Sequence, residues 1–355
     1  MKNFLLINPF GIGDVLFTTP VIRAIKTAYP DSIIGYWCNE RTADILKNNP
    51  YINIIFPLSR GDLKRIYNES RLKGIFRFLS VLGGIKRGRF NVALDFSLDR
   101  RYGFVTKLLG IKKRVGFNYK KRGLFLTDKI ELESYNNKHV VEYYLDLLKP
   151  LDIKPKGEAL DLFIPQKDKI KAKNSLARYG IGENDLLIAI APGAGASWGK
   201  DAAFKHWPPL KFAQLSDKLI DNLKAKVIIL GDESERPIAD IIVNAAKNKV
   251  VDFVGKTSLD ESAAILGEVG VLITNDGGPL HRGVALGLKT VSIFGPVDEK
   301  VYGPYPPGKN HLVIKKDLSC RPCYKNFRFS GCVNNSRCVK DITLEEVFQA
   351  VQSLI

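Results

Sequence analysis

The strongest chemical signal in this chain is a two-glycine turn in its second half. Residues 271–281 read VLITNDGGPLH, an apolar strand pattern followed by Gly277, Gly278 and a helix that opens on proline. Glycines let the backbone approach a phosphate closely, and the free amides of a helix N-terminus bind anions. Asp276 and His281 flank the turn. The pattern therefore predicts a phosphate site whose flanking side chains contact whatever the phosphate carries.

Three further segments add candidate ligand contacts. A glycine-rich loop with Gly193 and Ser197 follows another buried strand pattern and exposes backbone amides, although no Gly-Lys-Ser/Thr closes it as in a P-loop. Lys205 lies shortly after this loop and either pairs with a phosphate or is a solvated surface charge. Glu233 and Glu235 follow the next strand pattern. Carboxylates there can bind ribose or sugar hydroxyls, but they are also common at helix starts.

A carboxylate near the N-terminus is the candidate general base. The loop Gly11-Ile12-Gly13-Asp14 links the first strand pattern to the first helical pattern. An ionised carboxylate on the rim of a cleft can accept a proton from a hydroxyl nucleophile, while aspartate is equally an ordinary helix cap. The dinucleotide fingerprint requires a third glycine where Leu16 stands, so an NAD site is not expected.

The net charge of +17 is concentrated in the first half of the chain. Residues 60–122 hold 18 basic and 4 acidic residues. Such a field attracts polyanions, and three interpretations stay open: a generally basic surface, an anionic partner in a membrane, or nucleic acid. A nucleic-acid module should show a recognised binding fold or aromatic residues interleaved with the charges, and neither is clear here.

Strand and helix patterns alternate along the whole chain, which is typical of parallel sheets covered on both faces. The alternation occurs twice, with a proline-rich interruption at 150–165. We therefore predict an α/β protein with two doubly wound domains, 1–165 and 166–355. The strand patterns are 4–7, 32–38, 53–57, 91–96, 114–117, 186–191, 226–231, 250–253, 271–274 and 290–294. The helical patterns between them are 14–28, 40–48, 61–86, 100–110, 138–149, 208–223, 234–247, 259–268 and 279–287.

Cysteine usage bears on a possible metal. The N-terminus shows no signal-peptide pattern and the longest apolar run is too short for a bilayer, so a cytoplasmic location is expected. Four of the five cysteines form the cluster Cys320-x2-Cys323-x8-Cys332-x5-Cys338. This spacing suggests structural zinc. Free thiols are equally compatible with it, and disulfides are disfavoured in that compartment.

Taken in order, these motifs resemble those of the heptosyltransferase family, family nine of the inverting glycosyltransferases. The resemblance runs nearly from end to end. The matching landmarks are Gly11-Ile12-Gly13-Asp14 with Pro20, Tyr29-Pro30, Asn49-Pro50, Pro192-Gly193-Ala194, Lys205-x-Trp207-Pro208, Gly255-x-x-Ser258-Leu259, Asp276-x-Gly278-x-x-His281 and Phe294-Gly295-Pro296.

The resemblance implies a GT-B fold, in which two Rossmann-like domains with parallel sheets face each other across a cleft. In this fold class the last helical pattern, 344–354, is expected to cross back onto the first domain. It implies transfer of a heptose from ADP-heptose to the inner core of lipopolysaccharide or a related lipid-linked glycan, with inversion and without a metal or other cofactor in catalysis. Asp14 would be the catalytic base. The donor contacts in domain 166–355 would be Gly193, Ser197, Lys205, Glu233, Glu235, Ser258, Asp276, Gly277, Gly278 and His281. The acceptor contacts in domain 1–165 would be Gly13, Arg60, Lys64, Lys120 and Arg122.

A phosphorylated glycolipid acceptor would also give the basic stretch a role. It would hold the protein on the inner face of the cytoplasmic membrane, with each nearby cation adding roughly 1 kcal/mol of attraction. A different nucleotide sugar stays open, because the loop from Pro192 to Lys205 is longer than the family pattern and Gly277 replaces a hydroxyl residue. A sugar-nucleotide epimerase of similar shape and a basic nucleic-acid-binding protein also stay open.

Overall fold

The structure is a computed structural model that describes residues 2–194 and 196–355, without the side chains of Ala196 and Ser197. The chain divides into two units, Met1–Leu162 and Phe163–Ile355. The division falls within the proline-rich interruption at 150–165. In the described part, every helix is too short or too polar to reach across a bilayer.

Six parallel strands form the sheet of the first unit. They are β1 (Phe4–Asn8), β2 (Ile34–Cys38), β3 (Ile54–Pro57), β4 (Val92–Asp95), β5 (Lys113–Tyr119) and β6 (Asp128–Leu132). Their order across the sheet is β3-β2-β1-β4-β5-β6. Side chains alternate between the two faces of a strand. All five residues of β1 are buried, so both faces of the sheet are covered.

The helices of the first unit cover the two faces of this sheet. They are α1 (Ile12–Leu16), α2 (Thr19–Ala28), α3 (Ala43–Leu46), α4 (Arg60–Glu69), α5 (Arg71–Arg87), α6 (Arg100–Leu108) and α7 (Val140–Asp146). Val81 of α5 and Tyr102 of α6 join one hydrophobic core with Leu5 and Ile7 of β1. Helices α5 and α6 therefore pack on the same face of the sheet.

The predicted helix at 61–86 is two helices, because Ser70 interrupts it. Ser70 has an extended backbone that ends α4 and begins α5. Its hydroxyl accepts a hydrogen bond from the Lys73 amide at 3.4 Å, the usual arrangement of a serine N-cap. The hydrophobic pattern continues through the break, which is why periodicity alone does not detect it.

The second unit is built on a second six-stranded parallel sheet. Its strands are β7 (Leu187–Ala191), β8 (Lys226–Ile229), β9 (Val251–Asp252), β10 (Val271–Asn275), β11 (Lys289–Phe294) and β12 (His311–Lys315). Their order is β12-β11-β10-β7-β8-β9, which is the connectivity of the first sheet read from the opposite edge. In both sheets the strand order reverses beside the first strand, the place where open α/β sheets bind ligands.

Helices and a small hairpin complete the second unit. The helices are α8 (Gln166–Ala177), α9 (Pro209–Leu223), α10 (Arg236–Ala245), α11 (Leu259–Leu266), α12 (Gly278–Ala285), α13 (Glu299–Tyr302), α14 (Arg337–Lys340) and α15 (Leu344–Gln352). The hairpin pairs β13 (Tyr324–Lys325) with β14 (Arg328–Phe329). Short 3-10 segments are Glu40–Thr42, Lys149–Leu151, Ala196–Lys205 and Glu233–Glu235. Two doubly wound parallel sheets confirm the predicted fold class.

The C-terminal helix packs into the core of the second unit. Val347, Phe348 and Val351 of α15 are buried in the hydrophobic core of the second unit, together with Phe212 of α9. The apolar face of α15 thus packs within the second unit, to which the helix itself belongs. The expected return of this helix to the first domain stays a prediction.

Candidate active site

The two-glycine turn lies at the carboxyl end of β10, as the sequence predicts. The amide of Asp276 donates to the carbonyl of Ile293 at 3.0 Å, which extends the pairing with β11 by one residue. Helix α12 then begins at Gly278, with a proline in its first turn. Asp276 and His281 are buried, with exposed fractions of 3% and 4%. The turn therefore presents a helix N-terminus beside two buried polar side chains.

The side chain of Lys205 contacts this turn and is not a solvated surface charge. Its Nζ lies 2.6 Å from Oδ2 of Asp276, and both side chains are almost fully buried. The ammonium group also lies 4.8 Å from the ring centroid of Trp198. A buried ion pair is stable only where its geometry is well satisfied. The pair therefore fixes a cation and a carboxylate at the start of α12.

Asn275, which the sequence reasoning missed, connects the loops around this ion pair. Its Oδ1 accepts from the Trp207 amide at 3.0 Å, and its Nδ2 donates to the Pro192 carbonyl at 2.6 Å. The His206 ring also lies 2.9 Å from the Ala194 carbonyl. Asn275 thus holds the glycine loop after β7 and the segment that carries Lys205 against the end of β10. An asparagine that ends a strand gives no distinctive signal in a single sequence.

Glu235 lies over the glycine loop. A Cβ added to Gly193 would come within 1.7 Å of Oε1 of Glu235, and one added to Gly231 within 2.5 Å of its Oε2. Oε2 also accepts from the Asp232 amide at 3.1 Å. Burial, with a smaller contribution from the charge of Asp232, raises the pKa of Glu235 to about 7. Gly193 is therefore a glycine because a carboxylate occupies the space of its side chain.

Glu233 contacts a different loop and is more exposed. A Cβ on Gly255 would come within 1.9 Å of Oε2 of Glu233. The φ of Gly255 is +69°, a conformation that favours glycine. The two glutamates thus lie over separate loops at the carboxyl edge of the second sheet.

Ser258 is a helix cap. Its hydroxyl accepts from the Glu261 amide at 3.2 Å, and its own amide donates to Oε2 of Glu261 at 2.9 Å, which is a capping box at the start of α11. The buried Arg282 of α12 donates to the Leu259 carbonyl at 3.0 Å and to Ser262 Oγ at 2.6 Å. Burial lowers the pKa of Arg282 to about 10. Ser258 therefore shapes a helix that Arg282 links to α12. The side chain of Ser197, another expected donor contact, lies outside the described part.

Asp14 lies in the first turn of α1, at the carboxyl end of β1. Its Oδ2 accepts from the Gly11 amide at 3.2 Å. The side chain of Asn8 donates to the Asp14 carbonyl at 3.0 Å, and Asn39 donates to the Pro9 carbonyl at 3.1 Å. The loop is thus held from two sides, and Asp14 is half-buried within it. The aspartate is a cap, and its position at the carboxyl edge also suits a base.

The expected acceptor contacts follow three strands of the first sheet. Arg60 and Lys64 lie at the solvent side of α4, which follows β3. Lys120 and Arg122 follow β5, and both lie over the ring of Tyr119, at 5.0 and 5.5 Å. Gly13 lies in α1 beside Asp14, after β1. All five positions thus follow carboxyl ends of strands in one unit.

Asp95, at the carboxyl end of β4, is a buried carboxylate that the sequence reasoning missed. Oδ1 of Asp95 accepts from the Ser97 amide at 2.9 Å. Burial raises its pKa to about 6. Its strand pairs with β1, the strand that precedes Asp14. Asp95 reads as core in the sequence because it ends an apolar strand.

The cysteine segment supports the Lys205 region through aromatic contacts. Tyr324 and Phe329 of the hairpin lie 5.1 Å from Trp198, measured between ring centroids. All five cysteines are free, and Cys38 is buried in β2. Within the described residues, no group of three or more His, Cys, Asp or Glu side chains is placed to hold a metal ion. Structural zinc on these cysteines therefore stays a prediction.

Known proteins resemble this chain over most of its length. The family model described as Glycosyltransferase family 9 (heptosyltransferase) matches residues 79–333. Lipopolysaccharide heptosyltransferase 3 of Escherichia coli is 24% identical over 297 residues, which cover 82% of this chain and 83% of that protein.

Solved structures show the same architecture. A glycosyl transferase family 9 protein from Veillonella parvula DSM 2008 has a TM-score of 0.81 and 21% identity, over 99% of this chain and 97% of that one. The Escherichia coli ADP-heptose lps heptosyltransferase II has a TM-score of 0.75 and 20% identity, over 100% and 98%. These likenesses show a common fold.

Proposed function

The chain belongs to glycosyltransferase family 9, the heptosyltransferase family, and we propose that it transfers a heptose from ADP-heptose to the inner core of lipopolysaccharide. Its fold is GT-B, with two Rossmann-like units. The observation that carries the proposal is the buried ion pair between Lys205 and Asp276 at the start of α12. The family match favours a transferase over an epimerase or a nucleic-acid-binding protein.

The second unit would bind the donor. The amides at the start of α12 and the Lys205 ammonium would bind the diphosphate and stabilise the negative charge that develops as ADP leaves. Asp276 holds Lys205 in place at 2.6 Å. Because these groups neutralise the leaving group, the proposed reaction requires no metal ion.

Of the two glutamates, we assign Glu233 to the ribose of the donor. Glu235 is partly buried over Gly193 and already accepts from the Asp232 amide, so it shapes the loop. Glu233 is exposed at the carboxyl edge of the sheet, where its oxygens can accept from ribose hydroxyls. The two carboxylates thus have separate roles, which the sequence leaves unassigned.

Asp14 is the proposed catalytic base in the first unit. It would remove the proton from the acceptor hydroxyl as that oxygen bonds to the anomeric carbon and the bond from that carbon to the diphosphate breaks. The Gly11 amide orients the carboxylate by holding Oδ2. Displacement from the side opposite the leaving group inverts the anomeric centre.

The basic stretch 60–122 would serve the acceptor and the membrane. Gly13, Arg60, Lys64, Lys120 and Arg122 are the proposed contacts to the phosphorylated glycolipid. The same field would hold the protein at the inner face of the cytoplasmic membrane as a peripheral protein.

Structural zinc on the four C-terminal cysteines is a separate proposal that rests on their spacing. Burial, together with the neighbouring thiols, raises the pKa of Cys323 and Cys338. A bound zinc ion would have to displace the thiol protons, because zinc is held by thiolates. Elemental analysis of the purified protein tests this: one equivalent of zinc, lost on Cys320→Ser, is expected. Protein free of metal overturns it.

The transfer is tested by incubating the protein with ADP-heptose and lipopolysaccharide that lacks heptose, and by measuring the mass of the product with mass spectrometry. One added heptose with release of ADP is expected, while UDP- and GDP-sugars give none. Asp14→Asn should abolish transfer and leave the calorimetric affinity for ADP-heptose unchanged. Near-normal turnover by this variant would remove Asp14 from the role of base. Transfer from a UDP- or GDP-sugar alone would replace the proposed donor.

A further inference from the structure

Exposed apolar side chains are concentrated in one part of the first unit. Every large apolar residue that the structure describes as exposed in this unit lies within residues 54–124. Four of them belong to helix α5: Leu72, Ile75, Phe76 and Leu79, with exposed fractions of 68%, 47%, 70% and 55%. This segment largely coincides with the basic stretch 60–122.

The four residues form one continuous face of α5. Successive residues of an α-helix are rotated by about 100°, so spacings of three, four and seven place these side chains on the same side. Gly74, Val81 and Ile85 are the buried residues of this helix, and they lie on the opposite side. Helix α5 thus has two apolar faces, of which one packs in the core. We call the exposed one, formed by Leu72, Ile75, Phe76 and Leu79, the outer apolar face.

The charges of α5 all have one sign. The helix has no acidic residue among its 17, and its basic residues are Arg71, Lys73, Arg77, Lys86 and Arg87. Arg77 is less exposed than Arg71 and Lys73, and it donates to the Pro57 carbonyl at 3.0 Å. An apolar strip bordered by cations is the pattern of a helix that lies in the interface of an anionic membrane.

Helix α6 extends the same surface. It packs on the same face of the sheet as α5, and it exposes Phe104 and Leu108 by 43% and 69%. Arg100, Arg101 and Lys107 are exposed on the same helix. The solvent side of the two helices is therefore both apolar and basic.

A cavity of about 470 Å³ opens beside α5 and suits an anionic headgroup. Arg77, Arg87 and Arg89 line it together with apolar residues that include Ile54 and Phe56. Guanidinium groups bind phosphate oxygens in pairs of hydrogen bonds. The cavity thus pairs cations with apolar surface, as a phospholipid pairs an anion with acyl chains.

We propose that helix α5 lies in the interface of an anionic phospholipid membrane, with its outer apolar face among the acyl chains and its cations at the headgroups. The inference rests on the membrane contact in the proposed function and assigns it to a defined helix. The charge of this surface favours an anionic membrane over a second copy of the chain, because a second copy would bring the same cations against it. A membrane is also favoured over nucleic acid, which would leave the four apolar side chains in water.

Co-sedimentation with vesicles tests the assignment. The full chain should bind vesicles of phosphatidylglycerol and phosphatidylcholine and bind pure phosphatidylcholine far more weakly. Phe76→Ser with Leu79→Ser should weaken binding to the anionic vesicles by roughly tenfold or more, since insertion is driven by buried apolar groups. Ile241→Ser, at an exposed apolar residue of α10, is the matched control and should bind as the wild type does. Unchanged binding by the double variant would overturn the proposal.

A second measurement reports insertion directly. Phe76→Trp should gain a blue-shifted emission component on adding anionic vesicles, quenched by lipids that carry a spin label in the acyl chain. Ile241→Trp should show neither change. No quenching at position 76 would overturn insertion. The proposal would also be overturned if sedimentation velocity showed that the wild-type protein is a dimer and the double variant a monomer. A second copy of the chain would then cover the outer apolar face.

The test also separates this inference from the proposed function. The double variant should transfer heptose to a deacylated, water-soluble acceptor at the wild-type rate, because α5 holds none of the proposed catalytic or donor contacts. A wild-type protein that binds vesicles through α5 but transfers no heptose would refute the proposed function and support the membrane assignment.

Discussion

At the scale of single residues, the buried Lys205 is expected to affect both donor binding and the stability of the fold. We expect Lys205→Ala to weaken ADP-heptose binding and to lower the free energy of unfolding by about 3–5 kcal/mol, because it leaves the buried carboxylate of Asp276 without its cation. Calorimetry and urea denaturation measure the two effects. Lys200→Ala, at an exposed lysine of the same 3-10 segment, is the control. An unchanged affinity for ADP-heptose would contradict a role of Lys205 at the diphosphate.

Glu235 gives a prediction about pH. Its pKa is raised from the ordinary 4.5 to about 7 in the folded protein, mainly by burial. The folded state therefore holds this proton more tightly than the unfolded state. The stability it contributes is complete below about pH 4.5 and is lost as the pH rises through about 7. We expect Glu235→Gln to flatten the dependence of unfolding free energy on pH in this window. Glu233→Gln is the control, and an equal flattening there would contradict the assignment.

Some of the residues at this site can be predicted from the sequence and others cannot, for physical reasons. Asp276 can be predicted because glycines and a proline mark its turn. Lys205 can be predicted because its motif stands at the expected place in the order of family motifs. The sequence did not distinguish Glu233 from Glu235, because their difference lies in which glycine loop each one contacts. Asn275 and Asp95 were missed, since a polar residue that ends an apolar strand reads as part of the strand.

At the scale of elements, the glycine loop after β7 can be tested with one methyl group. Gly193→Ala would place a Cβ 1.7 Å from Oε1 of Glu235, so the carboxylate has to leave its position over the loop. We expect the KM for ADP-heptose to rise by about tenfold, equivalent to about 1.4 kcal/mol of binding. Gly308→Ala is the matched control, because its added Cβ meets no atom within 4 Å. Equal KM values for the two variants would show that the loop does not need Glu235 in place.

Most elements could be predicted, and those missed have a shared cause. Strands β6 and β12 lie at the sheet edges, and β6 reads DKIEL, with too few apolar residues to stand out. Helix α8 has only a narrow buried stripe among lysines. The amphipathic pattern of α15 does not reveal that its apolar face packs within the second unit. Periodicity reveals buried faces but not the partner that covers them.

At the scale of the whole molecule, the uneven charge predicts salt-sensitive membrane binding. Lys112→Glu with Lys121→Glu should weaken binding to anionic vesicles by roughly tenfold or more at low salt, and the difference should vanish at high salt. Lys247→Glu with Lys249→Glu changes the net charge equally in the second unit and should have little effect. Arg114 is unsuited to this test, because its guanidinium donates to the Phe125 carbonyl at 2.7 Å and holds the fold. Equal losses for the two double variants would mean that net charge alone governs binding.

The repeated strand order has a further consequence. Each sheet is complete within one continuous stretch of chain, and the crossover between the stretches occurs once, near residue 162. A single genetic exchange at that point would therefore carry one complete sheet and its helices from one family member to another. If the second unit binds the donor and the first the acceptor, as proposed above, preferences for the nucleotide sugar and for the glycan can be exchanged separately. Hybrid enzymes joined at this position are then a starting point for engineering new linkages.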